Sequence, residues 1–110
     1  MSIFASKIKT MTLTQRINPE KLEHAASMLR VLSHPVRLAI VDLLFTNGPL
    51  SVQEIQEKLG LEQAIASQHL ILIKDKGVLS SVKEGRCHYF SLLYPNMKNI
   101  IHCLEECCNA

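Results

Sequence analysis

The sequence predicts a mainly α-helical domain that carries one β-hairpin. Three observations lead there. Apolar residues recur at helical spacing through residues 18–76 and again after Pro95. Proline and glycine stand where those segments start and stop. One stretch, VLSSVKEGRCHYFSL over 78–92, abandons the helical period for two short β-prone runs.

Each element has its own warrant. Residues 1–17 show no clean period and are expected as a loose arm or a short extra helix, ahead of a domain over 18–110. Asn18 is a good N-cap and Pro19 suits the first helical position. Leu22, Ala25, Leu29 and Leu32 then recur at helical spacing, and this helix should end near Ser33 because Pro35 disfavours the α conformation at His34. Pro35 opens the next helix, PVRLAIVDLLFTNG, with Val36, Ile40, Leu43 and Leu44 as its buried stripe. It is apolar nearly all round and therefore expected at the centre of the core. Gly48 fits the left-handed position after the last turn, and Pro49 prevents continuation. Ser51 and Glu54 match a capping box for a short helix with Ile55 and Leu59 inward and Gly60 at its end. A further helix runs from about Gln63 to Lys76 on a stripe of Ala66, Leu70 and Ile73, and Gly77 ends it. Gly85 can supply the positive φ of a two-residue hairpin turn. On the second strand His88, Phe90 and Leu92 share one face, Cys87 and Tyr89 the other. Pro95 is expected to open the last helix.

Composition narrows the function classes. The chain has 110 residues, 47% of them hydrophobic, enough for one domain with a modest core. No apolar run approaches the roughly 18 residues of a membrane span. The start, MSIFASKIKTMTLTQR, carries Lys7, Lys9 and Arg16 without a continuous apolar stretch or a small-residue cleavage site, so it is not read as a secretory signal. A cytoplasmic protein with no membrane partner is expected. Its four cysteines are then reduced thiols, metal ligands or redox switches rather than a disulfide framework. No Cys-x-x-Cys, nucleophile–base pair or Gly-rich phosphate loop is present, so an enzyme is not expected.

A short helix, a glycine, a tight turn and a second amphipathic helix make the helix-turn-helix pattern. A hairpin directly after it makes a winged helix-turn-helix. In that arrangement the second helix enters the major groove of DNA. The face opposite its buried stripe carries Ala64, Gln68, Ile71 and Asp75, with Gln63 and Ser67 to one side. Gln68 can pair bidentately with adenine, and Ser67 can serve bases or phosphate. His69 lies at the edge of the buried stripe, open to a structural hydrogen bond or a phosphate contact. Lys74 and Lys76 follow, equally open to a solvated role, while Lys83 and Arg86 flank the wing turn toward the DNA backbone or minor groove. Arg30 and Arg37 are expected in local ion pairs. From Gly60 to Leu92 the four basic residues Lys74, Lys76, Lys83 and Arg86 stand against three acidic ones, and the whole chain carries only +2. Base reading therefore rests on geometry more than on charge. The competing reading is a winged-helix protein–protein module that does not read DNA.

Three segments together, LSHPVRLAIVDLL, LSVQEIQEKLGLEQAIASQHLILIKDKGVL and VKEGRCHYFSL, resemble the ArsR family of bacterial winged-helix repressors over roughly residues 20–108. The resemblance rests on His-Pro-x-Arg opening the second helix, Ser-x-His-Leu in the recognition helix and Glu-Gly-Arg at the wing. It implies a homodimer, joined through the first and last helices, that binds a palindromic operator and is released by a metal, metalloid or oxidant. Gln63, Ser67, Gln68 and His69 fall on the family's recognition positions and Arg86 on its wing arginine. Ala64 and Ile65 stand where the pattern commonly has Ser and Thr, and Glu62 replaces a serine. Ile65 could meet a thymine methyl. The family's sensing motifs are not intact. Ser51-Val52-Gln53 stands where metal sensors carry Cys-Val-Cys. The paired sites of the last helix fall on Tyr94, Asn96, Cys107 and Ala110. Residues 35–47 hold no cysteine to pair with one in the last helix. No cofactor is required by this reading, and a metal or metalloid inducer lacks an intact motif.

The tail HCLEECCNA concentrates three cysteines. Met97, Ile100, Ile101, Leu104 and Cys108 form one apolar stripe, which makes Cys108 a small hydrophobe at a dimer seam. Cys103 and Cys107, four residues apart on its flank, form the candidate thiol sensor. Three readings stay open for them: plain interfacial residues, a thiol switch, or ligands shared across a dimer. His102 faces away from the pair. Cys87 is a distant candidate for a disulfide.

Overall fold

The computed structural model describes residues 12–109. Most of the arm expected before Asn18 lies outside them. Its described end forms a single turn, α1 (Leu13–Arg16), with the Gln15 side chain accepting from the Thr12 N–H at 2.9 Å. The helices α2 (Pro19–Leu32) and α3 (Pro35–Asn47) follow, then β1 (Leu50–Ser51), α4 (Val52–Leu59), α5 (Gln63–Asp75), β2 (Leu79–Glu84), β3 (Cys87–Leu92) and α6 (Met97–Cys108).

The ends of these helices have local causes. The Asn18 side chain accepts from the Lys21 N–H at 2.8 Å, satisfying one orphan donor of α2. Ser51 and Glu54 cap α4 reciprocally, at 3.1 and 3.0 Å. The C-terminus of α5 closes in a Schellman motif: Val78 N–H donates to the Ile73 carbonyl and Gly77 N–H to that of Lys74. Gly77 takes φ +80°, and a Cβ there would meet the His24 ring at ordinary contact distance, 3.4 Å. Glycine is therefore favoured by conformation rather than by space.

The hairpin pairs Glu84 with Cys87 and leaves Gly85–Arg86 as a two-residue loop, with φ +63° at Gly85. Its hydroxyl pair Ser80–Ser91 bridges the strands at 3.1 Å. The sheet has a third strand that the sequence reading missed. β1 lies antiparallel to β3, Leu50 opposite Phe90 and Ser51 opposite Tyr89, giving the order β1-β3-β2. Two residues show no periodicity, so only the long-range pairing reveals them.

The core sits where α3, α5 and the sheet meet α4. Ile40, Ile55, Leu70, Ile73, Val41 and Val78 are its largest fully buried side chains. The central placement of α3 agrees with its apolar circumference. Three local expectations need correction. Val36 and Leu43 are only half-buried, and Val41 completes the buried stripe of α3. Gly48 has the positive φ expected of it, but its ψ of −160° is extended rather than left-handed helical, because the chain turns at once into β1. Pro95 sits in a turn before α6, which starts two residues later at Met97 behind Asn96.

Candidate nucleic-acid interface

Interface geometry begins with the α4–turn–α5 unit. Gly60 adopts the left-handed conformation at the end of α4, and α5 starts three residues on. Ala66, Leu70 and Ile73 of α5 are fully buried. This clamps one side of the helix to the core and leaves Gln63, Ala64, Gln68, Ile71, Lys74 and Asp75 exposed on the other. Ile71, at 56% exposure, stands out among them.

The wing folds back beside α5. Gln63 and Ser67 of the helix line a hollow of about 340 Å³ together with Arg86 and His88 of the hairpin, closed at one end by the start of α4. A neighbouring hollow of about 280 Å³ continues along the helix between Ser67, Ile71 and Lys74 on one side and Ser81, His88 and Phe90 on the other. The fold thus gathers Gln63, Ser67, Lys74 and Arg86 along one cleft. Gln68 lines neither hollow and is exposed on the outward face of the helix; Lys83 is exposed on β2, opposite His88 in register. His88 was not singled out from the sequence. Strand alternation places it on one face of β3 with Phe90, and only the packing of the wing beside α5 turns that face into a wall of the cleft.

His69 goes elsewhere. Its Nδ1 accepts from Arg37 Nε at 3.2 Å, and its ring lies 4.9 Å from that of His34 at a 52° tilt. Burial, and then the Arg37 and His34 charges, hold its pKa below the usual histidine value. The structural hydrogen bond, one of the two roles left open for His69, is formed. Arg37 also donates Nη1 to the Val31 carbonyl at 3.1 Å. The ion pair expected for Arg37 is therefore corrected: neutral acceptors take its guanidinium, because α5 brings an imidazole rather than a carboxylate to it. One side chain ties α2, α3 and the recognition helix together. His34 Nδ1 in turn accepts from the Val36 N–H at 3.1 Å, capping α3. Both imidazoles accept through Nδ1 in this arrangement.

On α6, all three tail cysteines are exposed, as is Cys87 on the wing, and all four are free thiols. Cys107 raises the pKa of Cys103, by its charge first and then by a hydrogen bond between the side chains. The pair is therefore adjacent, as its spacing implied. Cys108, expected at a seam, is exposed in the single chain. The His102 ring meets Phe45 of α3 edge-on at 5.7 Å. Among the described residues no group of three or more His, Cys, Asp or Glu could hold a metal ion. Ala110 lies outside them. Cys87 sits beside Tyr89, whose phenol pKa it raises.

Comparison with known proteins agrees with this architecture. A model of the bacterial regulatory proteins of the arsR family matches residues 34–81. The chain is 35% identical over 96 residues to the transcriptional repressor PagR of Bacillus anthracis, covering 87% of this chain and 96% of PagR. The PagR crystal structure superposes with a TM-score of 0.70 at 36% identity, over 77% of this chain and 97% of that one. An uncharacterised HTH-type transcriptional regulator of Methanocaldococcus jannaschii is 33% identical over 87 residues, 79% of this chain and 98% of the relative. A homodimeric winged helix-turn-helix DNA-binding domain from Mycobacterium bovis shares the fold at 23% identity, with a TM-score of 0.72 over 82% of each chain. These relatives are regulators rather than enzymes, and they do not favour a module that has given up DNA. Matched from the cap of α3 into β2, and 35% identical to PagR over most of both chains, the chain belongs to the arsR family of bacterial regulatory proteins.

Proposed function

We propose that the chain is a homodimeric transcriptional repressor that reads a palindromic operator through α5 and grips the backbone with its wing. The supporting observation is the cleft itself. Residues distant in sequence, Gln63 and Ser67 on a helix and Arg86 on a hairpin, converge on one hollow. Gln68 is the proposed adenine reader, and Ser67 serves base or phosphate. Lys74, Lys83 and Arg86 take phosphates. His69 positions the helix through Arg37. With chromosomal DNA as partner, the cytoplasm is the proposed location; no described helix is long and apolar enough to cross a membrane.

The proposed dimer seam is the face of α2 and α6. There Met28, Leu29, Leu32, Tyr94, Met97 and Ile100 line an apolar groove of about 430 Å³. Leu29 is 57% exposed in the single chain, although its helical spacing with Leu32 marks it for burial. A second protomer is the proposed cover; the M. bovis neighbour that shares the fold is homodimeric.

The Cys103–Cys107 pair is the proposed response element, for a soft metal or metalloid ion. Two adjacent thiols supply two ligands to a soft cation, which binds them as thiolates. A tetrahedral ion would need further ligands from the partner protomer. The test is selection of bound duplexes from a randomised library, followed by titration at several salt concentrations, with and without soft metal ions. Enrichment of a palindromic sequence with a steep salt dependence is expected; no enriched sequence would sink the DNA reading.

A further inference from the structure

The cations of the wing lie on one flank of the recognition helix. The other flank has its own. Arg30 of α2, Arg37 of α3 and Lys76 at the C-cap of α5 line a single hollow of about 210 Å³, with Ser27 beside them. Among the described residues none of the three is paired with a carboxylate; Arg37 is held by the neutral acceptors His69 and Val31. Three like charges from three separate elements repel one another unless an anion sits between them.

Helix geometry says which anion. At about 100° per residue, Leu72 and Lys76 lie roughly a quarter turn to one side of the line through Ala64, Gln68 and Asp75. Ser67 and Lys74 lie roughly as far to the other side, against the wing. A helix with its side chains is about 10–12 Å across, and the major groove is about 12 Å wide. A helix seated there brings both flanks to a phosphate backbone. We infer that the Arg30–Arg37–Lys76 hollow takes a backbone phosphate of the strand opposite the one the wing approaches. The inference rests on the DNA reading above. It makes the recognition helix clamped on both sides. Because Arg37 also holds His69 of α5, this phosphate would be sensed directly by the side chain that positions the helix.

The test compares salt dependence on one duplex, chosen by the wild-type protein from a randomised library. Arg30→Gln with Lys76→Gln removes two exposed charges and leaves Arg37 in place. Loss of one phosphate contact should reduce the slope of log K against log salt by about 0.9, which is about eightfold in affinity at 0.1 M salt. The charge-conserving pair Arg30→Lys with Lys76→Arg should keep the wild-type slope. So should Lys21→Gln with Lys98→Gln, on the first turn of α2 and on α6. Thermal melts by circular dichroism establish that all variants are folded. If the Arg30–Lys76 variant keeps the wild-type slope while both proteins bind, the inference fails and the DNA reading stands. If the Lys21–Lys98 variant loses as much, the effect is one of net charge and the inference fails again. If the wild type enriches no duplex, both readings fall.

Discussion

Helices α5 and α6 are both amphipathic, yet they finish their business in different places. α5 buries Ala66, Leu70 and Ile73 completely within its own chain. Its outward side is mixed polar and apolar and is flanked by cations. α6 buries Met97 and Ile101 but leaves Leu104 at 39% exposure and all three of its cysteines open. The first helix is complete as a core element and presents a surface for a polar partner. The second is half covered and points to a second copy of the chain. Burial of one face, not amphipathicity as such, separates a recognition helix from an interface helix.

This contrast can be broken, starting where the effect is largest. Leu70→Ala should destabilise the fold by about 2–5 kcal/mol, because it empties a fully buried site; urea melts will show it. Leu104→Ala, at a side chain its own chain leaves uncovered, should cost the dimer's melt clearly less than Leu70→Ala, and an equal loss would contradict the comparison. Leu29→Glu, on the α2 side of the groove, should halve the mass measured by light scattering while the far-ultraviolet dichroism persists. A dimer that survives it would place the seam elsewhere. Gln68→Ala should cost about 1–3 kcal/mol at one base position, whereas Arg86→Ala should weaken all sequences alike; titrations on single-base operator variants separate the two.

Acid should loosen α5 more gently. The folded-state pKa of His69 is depressed, so the neutral ring is favoured in the folded chain. Its stabilising contribution is full above the unfolded value of about 6.5 and is lost as pH falls from there through the folded pKa. His69→Asn keeps a neutral acceptor for Arg37 and should flatten that part of the melting profile; an unchanged profile would acquit His69. Smallest of all, Cys103→Ser should leave DNA binding without metal unchanged and alter only the response to soft metal ions.

Much of the candidate site was legible before the structure. The capping box at Ser51, the glycine stops and the alternation in β3 are local signals, and they place Gln63, Ser67, Gln68 and Arg86 on a helix and a wing. The destination of His69 was not legible, since its partner Arg37 is 32 positions away. Nor was the basic hollow. Arg30 and Lys76 sit in segments whose charges each look solvated, and only the packing of α2 against α5 brings them together.

The sequence by itself determined the tight turn, the hairpin and every helix boundary from α2 to α5 to within a residue, because caps, periods and positive-φ glycines act over a few residues. Tertiary structure alone decided the pairing of Leu50 with Phe90, the Arg37 tie between three helices, and which apolar side chains stay uncovered. Those depend on contacts between distant segments, whose closure no local pattern encodes.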